Sequence, residues 1–298
     1  MRPTRLLART LLTKWVLLAL VVVAALVWLA VLVTPAGGTL SVSVVDVGQG
    51  ESILITTPAG QHVLIDGGPG PGDVCLALGE AMPFWERSIE LVVLTHPHAD
   101  HVSGLVEVLR RYEVSQVLYP QDIGYESEVY LEWLGVVEGM EVESVGAQVG
   151  QRVDLGGGAL LEVLQPSPEL LEGTESDVDN NAVVMRLEME DVSFLLTSDL
   201  FADGERYLVE QGLELESTVL KVCHHGAGTS SSARFLAAVD PEVVVISVGA
   251  DNPFGHPDEE VLSRLVDSVG KEGVYLTSED GTVTFTTDGK RLWVETER

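Results

Sequence analysis

The stretch from Ile89 to His101 constrains this chain more than any other. Ile89 to Thr95 reads as a buried strand that runs directly into His96-Pro97-His98-Ala99-Asp100-His101. Apolar residues at helical spacing follow from Gly104 to Tyr112, where Leu105, Val108 and Leu109 alternate with Arg and Glu. Four metal-binding side chains therefore fall within six residues, between a strand end and a helix start. Imidazole and carboxylate are the ligands a divalent metal takes from a protein site without thiolate. In a turn, His96 and His98 point to one side while Asp100 and His101 point to the other. That arrangement suits two metals close together, or one.

Other strand ends supply partners for this turn. Asp199 follows the apolar run Phe194-Leu195-Leu196-Thr197-Ser198, and His224 and His225 follow Val219 to Cys223 in the same way. Five of the seven histidines thus lie in two strand-end loops. Asp66, in Leu64-Ile65-Asp66-Gly67-Gly68, has two readings. Its carboxylate fixes the tautomer of a ligand histidine by accepting the second ring N–H, or it belongs to an Asp-Gly turn. A metal held by these residues activates water near neutral pH. Asp100 is placed to orient or deprotonate that water, and Asp199 to bridge two ions. The reaction class is hydrolysis.

The rest of the chain reads as many short strands with two or three helices. Strands are expected at 41–45, 52–56, 62–65, 183–187, 192–197, 219–222, 243–247, 274–277, 282–286 and 292–295, and helices at 73–82, 104–112 and 259–269. Strand runs with helices segregated between them predict a layered α/β domain over residues 40–298. Cys75 and Cys223 sit among apolar neighbours and are expected to pack rather than to cross-link.

The N-terminus is different in kind. Trp15 to Val33 is an unbroken apolar run of 19 residues, long enough to cross about 30 Å of hydrocarbon as a helix. Its only flanking charges are Arg2, Arg5, Arg9 and Lys14, all before the run. Positive-inside bias predicts residues 1–14 as a cytoplasmic tail, 15–33 as a single transmembrane anchor and 34–39 as a linker to an outer domain. A cleaved signal peptide is the alternative, weakened by the length of the run and by a poor cleavage sequence after it. The chain carries 46 acidic against 17 basic residues, a net charge of −29. Such a surface repels nucleic acid and anionic lipid at long range, which argues against tight, passive DNA binding.

These residues together resemble the metallo-β-lactamase superfamily, whose signature is HxHxDH followed by later His and Asp ligands. Within it the match is closest to the C-terminal domain of ComEC-type DNA-uptake proteins. The matching segments are Asp46-Val47-Gly48-Gln49-Gly50-Glu51-Ser52, Ile65 to Gly68, Thr95 to Gly104 and Asp179-Asn180-Asn181-Ala182-Val183-Val184. They continue through Leu196 to Asp199, Lys221 to Gly226, Ser247 to Gly249 and Asn252-Pro253-Phe254-Gly255-His256-Pro257. The resemblance implies a four-layer αββα sandwich with its site at one edge between the sheets. It implies His96, His98, Asp100, His101, Asp199 and His224 as metal ligands, with Asp100, His225 and His256 catalytic or substrate-facing.

The choice between His224 and His225 as the ligand stays open. So does the position of one expected ligand histidine, where Asp177, Asp179 and Asn180 stand instead. An oxygen ligand there makes manganese as suitable as zinc, with one or two ions bound. The functions implied are a phosphodiesterase or nuclease of competence DNA uptake, acting on single-stranded DNA or another phosphoester. Alternatives are a hydrolase of a small ester, lactone or envelope phosphoester, or a non-catalytic subunit docked to a competence channel protein.

Overall fold

In the segment Leu40–Val44 (β1), Leu40, Val42 and Val44 are buried while Ser41 and Ser43 are only half-buried. This period of two gives a strand one apolar face, and the same device recurs through the domain. The computed structural model describes residues 14–16, 18–23 and 38–298, except 83, 84, 122 and 141. Residues 14–16 and 18–23 are helical. The remainder of the expected span, tail and linker lies outside the described residues. Among the described residues, no helix is long and apolar enough to cross a membrane.

Residues 39–298 form one unit built on two sheets. The first runs β15-β14-β1-β2-β3-β4-β5-β6, where β2 is Ile53–Thr56, β3 His62–Ile65, β4 Ser88–Val93, β5 Glu113–Tyr119, β6 Glu143–Gly146, β14 Val283–Thr287 and β15 Leu292–Thr296. The second runs β13-β12-β11-β10-β9-β8-β7. Here β7 is Arg152–Gly156, β8 Ala159–Gln165, β9 Val184–Met189, β10 Val192–Leu196, β11 Val219–Lys221, β12 Val243–Ile246 and β13 Val274–Leu276. The inner faces meet in one apolar layer containing Val42, Ile65, Val93, Leu161, Phe194 and Phe285.

Helices cover both outer faces. Pro71–Ala81 (α1), Ala99–Arg111 (α2) and Glu128–Gly139 (α3) pack Val74, Leu105 and Trp133 over Leu64 and Val92 of the first sheet. Ala202–Gln211 (α4), Ala233–Val239 (α5) and Glu259–Val269 (α6) pack Leu208, Phe235 and Leu265 over Leu195 and Val244 of the second. The helix–sheet–sheet–helix order agrees with the four-layer sandwich expected. Three expectations change. The chain has more helices than two or three, α2 begins at Ala99 inside the histidine segment instead of at Gly104, and strands β5 to β8 stand where none is expected.

The topology places the site. Strands β3 to β6 run parallel, as do β10 to β13. Loops leaving the carboxyl ends of parallel strands are where α/β sheets bind ligands. The loops after β3, β4, β10 and β11 carry Asp66, His96 to His101, Asp199 and His224-His225. One close approach locks this edge. A Cβ on Gly104 would lie 1.8 Å from the Gly67 carbonyl oxygen, so only glycine lets the post-β3 loop rest on α2. Hydrogen bonds from Gly67 N to His101 O (2.8 Å) and from Gly104 N to Gly68 O (3.1 Å) join them.

Candidate metal centre

Two clusters of ligand atoms sit side by side at this edge. Asp100, His101, Asp199 and His225 form the first, and His96, His98 and Asp179 the second. The backbone that presents them is strained. Asp66, Ser198, His224 and His225 all adopt left-handed φ, at 57°, 51°, 46° and 53°. Non-glycine residues in that region cost free energy and gather at functional sites, where surrounding structure fixes them.

In the first cluster, each histidine is aimed by its other nitrogen. His101 Nδ1 lies 2.7 Å from Asp66 Oδ2, which turns Nε2 toward Asp199 Oδ2 at 3.3 Å. His225 Nδ1 donates to the Ser247 carbonyl at 2.7 Å, leaving Nε2 3.3 Å from Asp199 Oδ2 and 3.5 Å from Asp100 Oδ2. Asp66 also accepts from Thr95 N (2.8 Å) and Thr95 Oγ1 (2.6 Å). Of the two readings of Asp66, its contacts match that of a support for a ligand histidine. Its left-handed φ serves that orientation.

The second cluster, like the first, has one part-exposed member. His96 is fully buried, and its Nδ1 lies 3.2 Å from both Thr95 Oγ1 and Ser198 Oγ. Its Nε2 faces His98 Nδ1 at 3.1 Å and Asp179 Oδ1 at 3.3 Å. His98 keeps 31% of its side chain exposed and has the Tyr125 ring at 5.0 Å. Asp179 stands where a ligand histidine was missing. A short 3-10 turn, Asp179–Asn181, delivers it, and its Oδ1 is 3.1 Å from His98 Nδ1. Asp177 instead caps its own loop through Thr174 and Gly173. Asn180 Oδ1 accepts from Phe201 N and Gly204 N.

Electrostatics follow from this crowding. Burial would raise the Asp199 carboxyl, but His225 and His101 outweigh it and hold it well below its ordinary range. Burial likewise opposes charge on His225, yet Asp199 and Asp100 push its pKa up to about 9. Burial pushes His96 well below its ordinary value, and His101 beside it adds to the effect. Buried Asp179 Oδ1, Asp199 Oδ1 and His225 Nε2 make no hydrogen bond of acceptable geometry. Buried polar atoms rarely lack a partner. Two of these, Asp179 Oδ1 and His225 Nε2, lie among converging carboxylates and imidazoles and fit a divalent cation, and the nitrogen–oxygen donor set suits zinc or manganese.

The choice between the two adjacent histidines goes against His224, the one implied as ligand. His225, not His224, joins the cluster, because both residues are left-handed and the chain turns between them. His224 lies outside it, with its ring 4.5 Å from Phe201 and 5.8 Å from His256. His256 lies outside both clusters and stacks on Phe254 at 5.7 Å. His96, His98, Asp100, His101 and Asp199 are brought together as expected.

Lys221 was missed. It is fully buried, pairs with Glu51, and lies 3.9 Å from Asp199 Oδ1 behind the first cluster. A lysine inside the otherwise apolar strand β11 was the available signal. Cys75 and Cys223 are both free, the first half-buried and the second buried.

Comparison with known proteins agrees with this architecture. The family described as the metallo-beta-lactamase superfamily matches residues 45–250. ComE operon protein 3 of Bacillus subtilis (strain 168) is 28% identical over 243 residues, which cover 75% of this chain and 30% of that protein. Competence protein ComA of Neisseria gonorrhoeae is 32% identical over 235 residues, covering 76% of this chain and 29% of that protein. The chain thus spans less than a third of the length of these curated relatives. CmlA, a diiron beta-hydroxylase from Streptomyces venezuelae, superposes with a TM-score of 0.55 at 15% identity, over 84% of this chain and 54% of that one. At that identity the likeness concerns the fold alone. The matched span includes Asp66, His96 to His101, Asp179, Asp199 and His225, and the chain belongs to the metallo-β-lactamase superfamily.

Proposed function

We propose that this chain is a metal-dependent phosphodiesterase acting on single-stranded DNA in competence DNA uptake. The observation that carries the reading is the pair of adjacent His/carboxylate clusters with unpartnered ligand atoms. Asp100, His101, Asp199 and His225 would hold one ion, and His96, His98 and Asp179 a second. A divalent metal there supplies a Lewis acid that activates water near neutral pH and polarises a phosphoryl oxygen.

The chain's own groups do the rest. Burial works against ionisation of Asp100, but His101 and His225 keep it below its ordinary pKa. With its side chain 34% exposed, it stands at the rim as a carboxylate able to accept a proton from attacking water. His224 and His256, 5.8 Å apart, stand beside the rim and offer ring N–H donors to phosphate oxygens.

Similarity to a competence protein, together with the resemblance to ComEC-type DNA-uptake proteins, supports DNA as the substrate class. The apolar run Trp15 to Val33, with basic residues only on its N-terminal side, supports a membrane anchor and an extracytoplasmic hydrolase domain. A competence channel protein is the partner this placement suits.

The test uses the full chain in detergent with a single-stranded oligonucleotide and a simple phosphodiester, in manganese, zinc or chelator. Metal-dependent cleavage of both, reduced to background in Asp199→Ala, is expected. A folded, metal-loaded chain that cleaves neither would sink the proposal.

A further inference from the structure

Beside the metal centre a row of rings runs out to Phe254, a side chain the hydrolytic chemistry does not use. Phe254 is 66% exposed, whereas Phe194, Phe235 and Phe285 are buried in the domain core. A single exposed phenylalanine calls for no explanation on its own. This one stacks on His256 with ring planes 16° apart and centroids 5.7 Å apart. The row continues from His256 to His224 at 5.8 Å, and from His224 to the metal-cluster residue His225 at 6.1 Å. Phe201 packs on His224 at 4.5 Å from the other side.

The loop between β12 and α6 that carries Phe254 is held in shape by Asn252. Its Nδ2 donates to the carbonyls of Gly249 (2.8 Å) and His256 (2.7 Å), and its Oδ1 accepts from His256 N at 2.9 Å. Phe254 is therefore an aromatic face fixed in position with one side open. A preformed face binds without the ordering cost of a mobile side chain.

Charge limits what such a face can receive. With a net charge of −29, the chain offers a polyphosphate no long-range attraction. Affinity for a nucleic acid must come from the metals and from uncharged contacts with the bases. Aromatic stacking is sequence-tolerant, since every base has a π face.

We infer that the Phe254–His256 shelf is a base-stacking subsite, which holds a base of single-stranded polynucleotide near the phosphodiester delivered to the metal centre. The inference rests on the phosphodiesterase reading and adds the means by which an acidic protein retains a polynucleotide. It also implies cleavage with little base preference.

The test is a double-mutant cycle between protein and substrate. Full chain in detergent is given an oligothymidylate, then a set of the same oligonucleotides with one abasic site moved along the strand. Both cleavage KM and equilibrium anisotropy with metal bound, the latter read before appreciable cleavage, are measured. With the parent protein, one abasic position should weaken binding on the order of tenfold, the scale of a lost stack. In Phe254→Ala that positional penalty should vanish, because the stack is already gone. Phe254→Trp should restore it, while Trp293→Ala, an exposed ring on β15, should retain it. A parent protein that cleaves the oligonucleotide but shows the same abasic profile as Phe254→Ala would overturn the shelf and leave the phosphodiesterase intact. A parent protein that neither binds nor cleaves any oligonucleotide would overturn both.

Discussion

The two ligand clusters differ in how firmly the fold holds them. Around Asp100, His101, Asp199 and His225, each histidine is tied through its far nitrogen to a buried acceptor, Asp66 or the Ser247 carbonyl. Behind Asp199 stands the buried Lys221–Glu51 pair. Around His96, His98 and Asp179 the support is thinner. His96 is fully buried and braced by hydroxyls and Asp179 accepts from Ser176 Oγ (2.6 Å), but His98 is part-exposed and Asp179 comes from a short turn and not from a strand end. A pocket whose ligands are braced on every side retains its ion, whereas a less braced one exchanges it. Tight outer contacts raise ligand basicity and fix ring orientation, so the first pocket should bind metal more strongly.

Removing one ligand from each pocket tests this asymmetry with the largest effect. His225→Ala should lose turnover entirely and lose the more tightly held ion, since its imidazole stands between Asp100 and Asp199. His98→Ala should also lose turnover yet retain about one ion fewer than the parent by elemental analysis. Equal affinity for the remaining ion in both variants would erase the distinction. A smaller effect should come from Asp66→Asn, which keeps the shape but weakens the hold on His101. Metal affinity there should fall about 10- to 100-fold, measured by competition with a chelating dye, while His96-side binding changes less.

The smallest effect concerns protons. In the metal-free chain His225 is raised to about 9 from an ordinary value of 6.5. The folded state thus binds this proton more tightly than the unfolded chain does. Its contribution to stability is fully present below about pH 6.5 and is lost as pH rises through 9. The melting temperature of chelated protein should fall across that window, and the fall should be blunted when metal replaces the proton. An identical profile with and without metal would argue that His225 does not contact the ion.

Legibility of this centre in the sequence tracks distance along the chain. His96 to His101 could be read because a strand, a turn and a helix start lie within a few residues. His224 and His225 could not be separated, since both follow the same strand and only their left-handed backbone decides which one points inward. Asp179 stayed one of three oxygen-bearing candidates until the 3-10 turn placed it against His98. Glu51 and Lys221 are 170 residues apart, and no local pattern joins them. In the fold, the strands that border the site are legible, while β5 to β8 and the helices α3, α4 and α5 are not. The segment Ala202–Gln211 buries only Gly204, Glu205 and Leu208, so its helical period is nearly silent in apolar residues.

Strand β1 pairs with β14 over the register Leu40–Thr287 to Val44–Val283, joining the two ends of the hydrolase domain. During synthesis β1 is among the first strands to emerge, but its partner is nearly the last. Until then β1 has only β2 beside it, and the apolar layer between the sheets lacks Val283 and Phe285. Such long-range closure is slow and leaves sheet edges exposed in the interval. A nascent chain should therefore acquire its metal late, after translation of β14, and a ribosome stalled before Val283 should display a protein that neither holds metal nor resists protease.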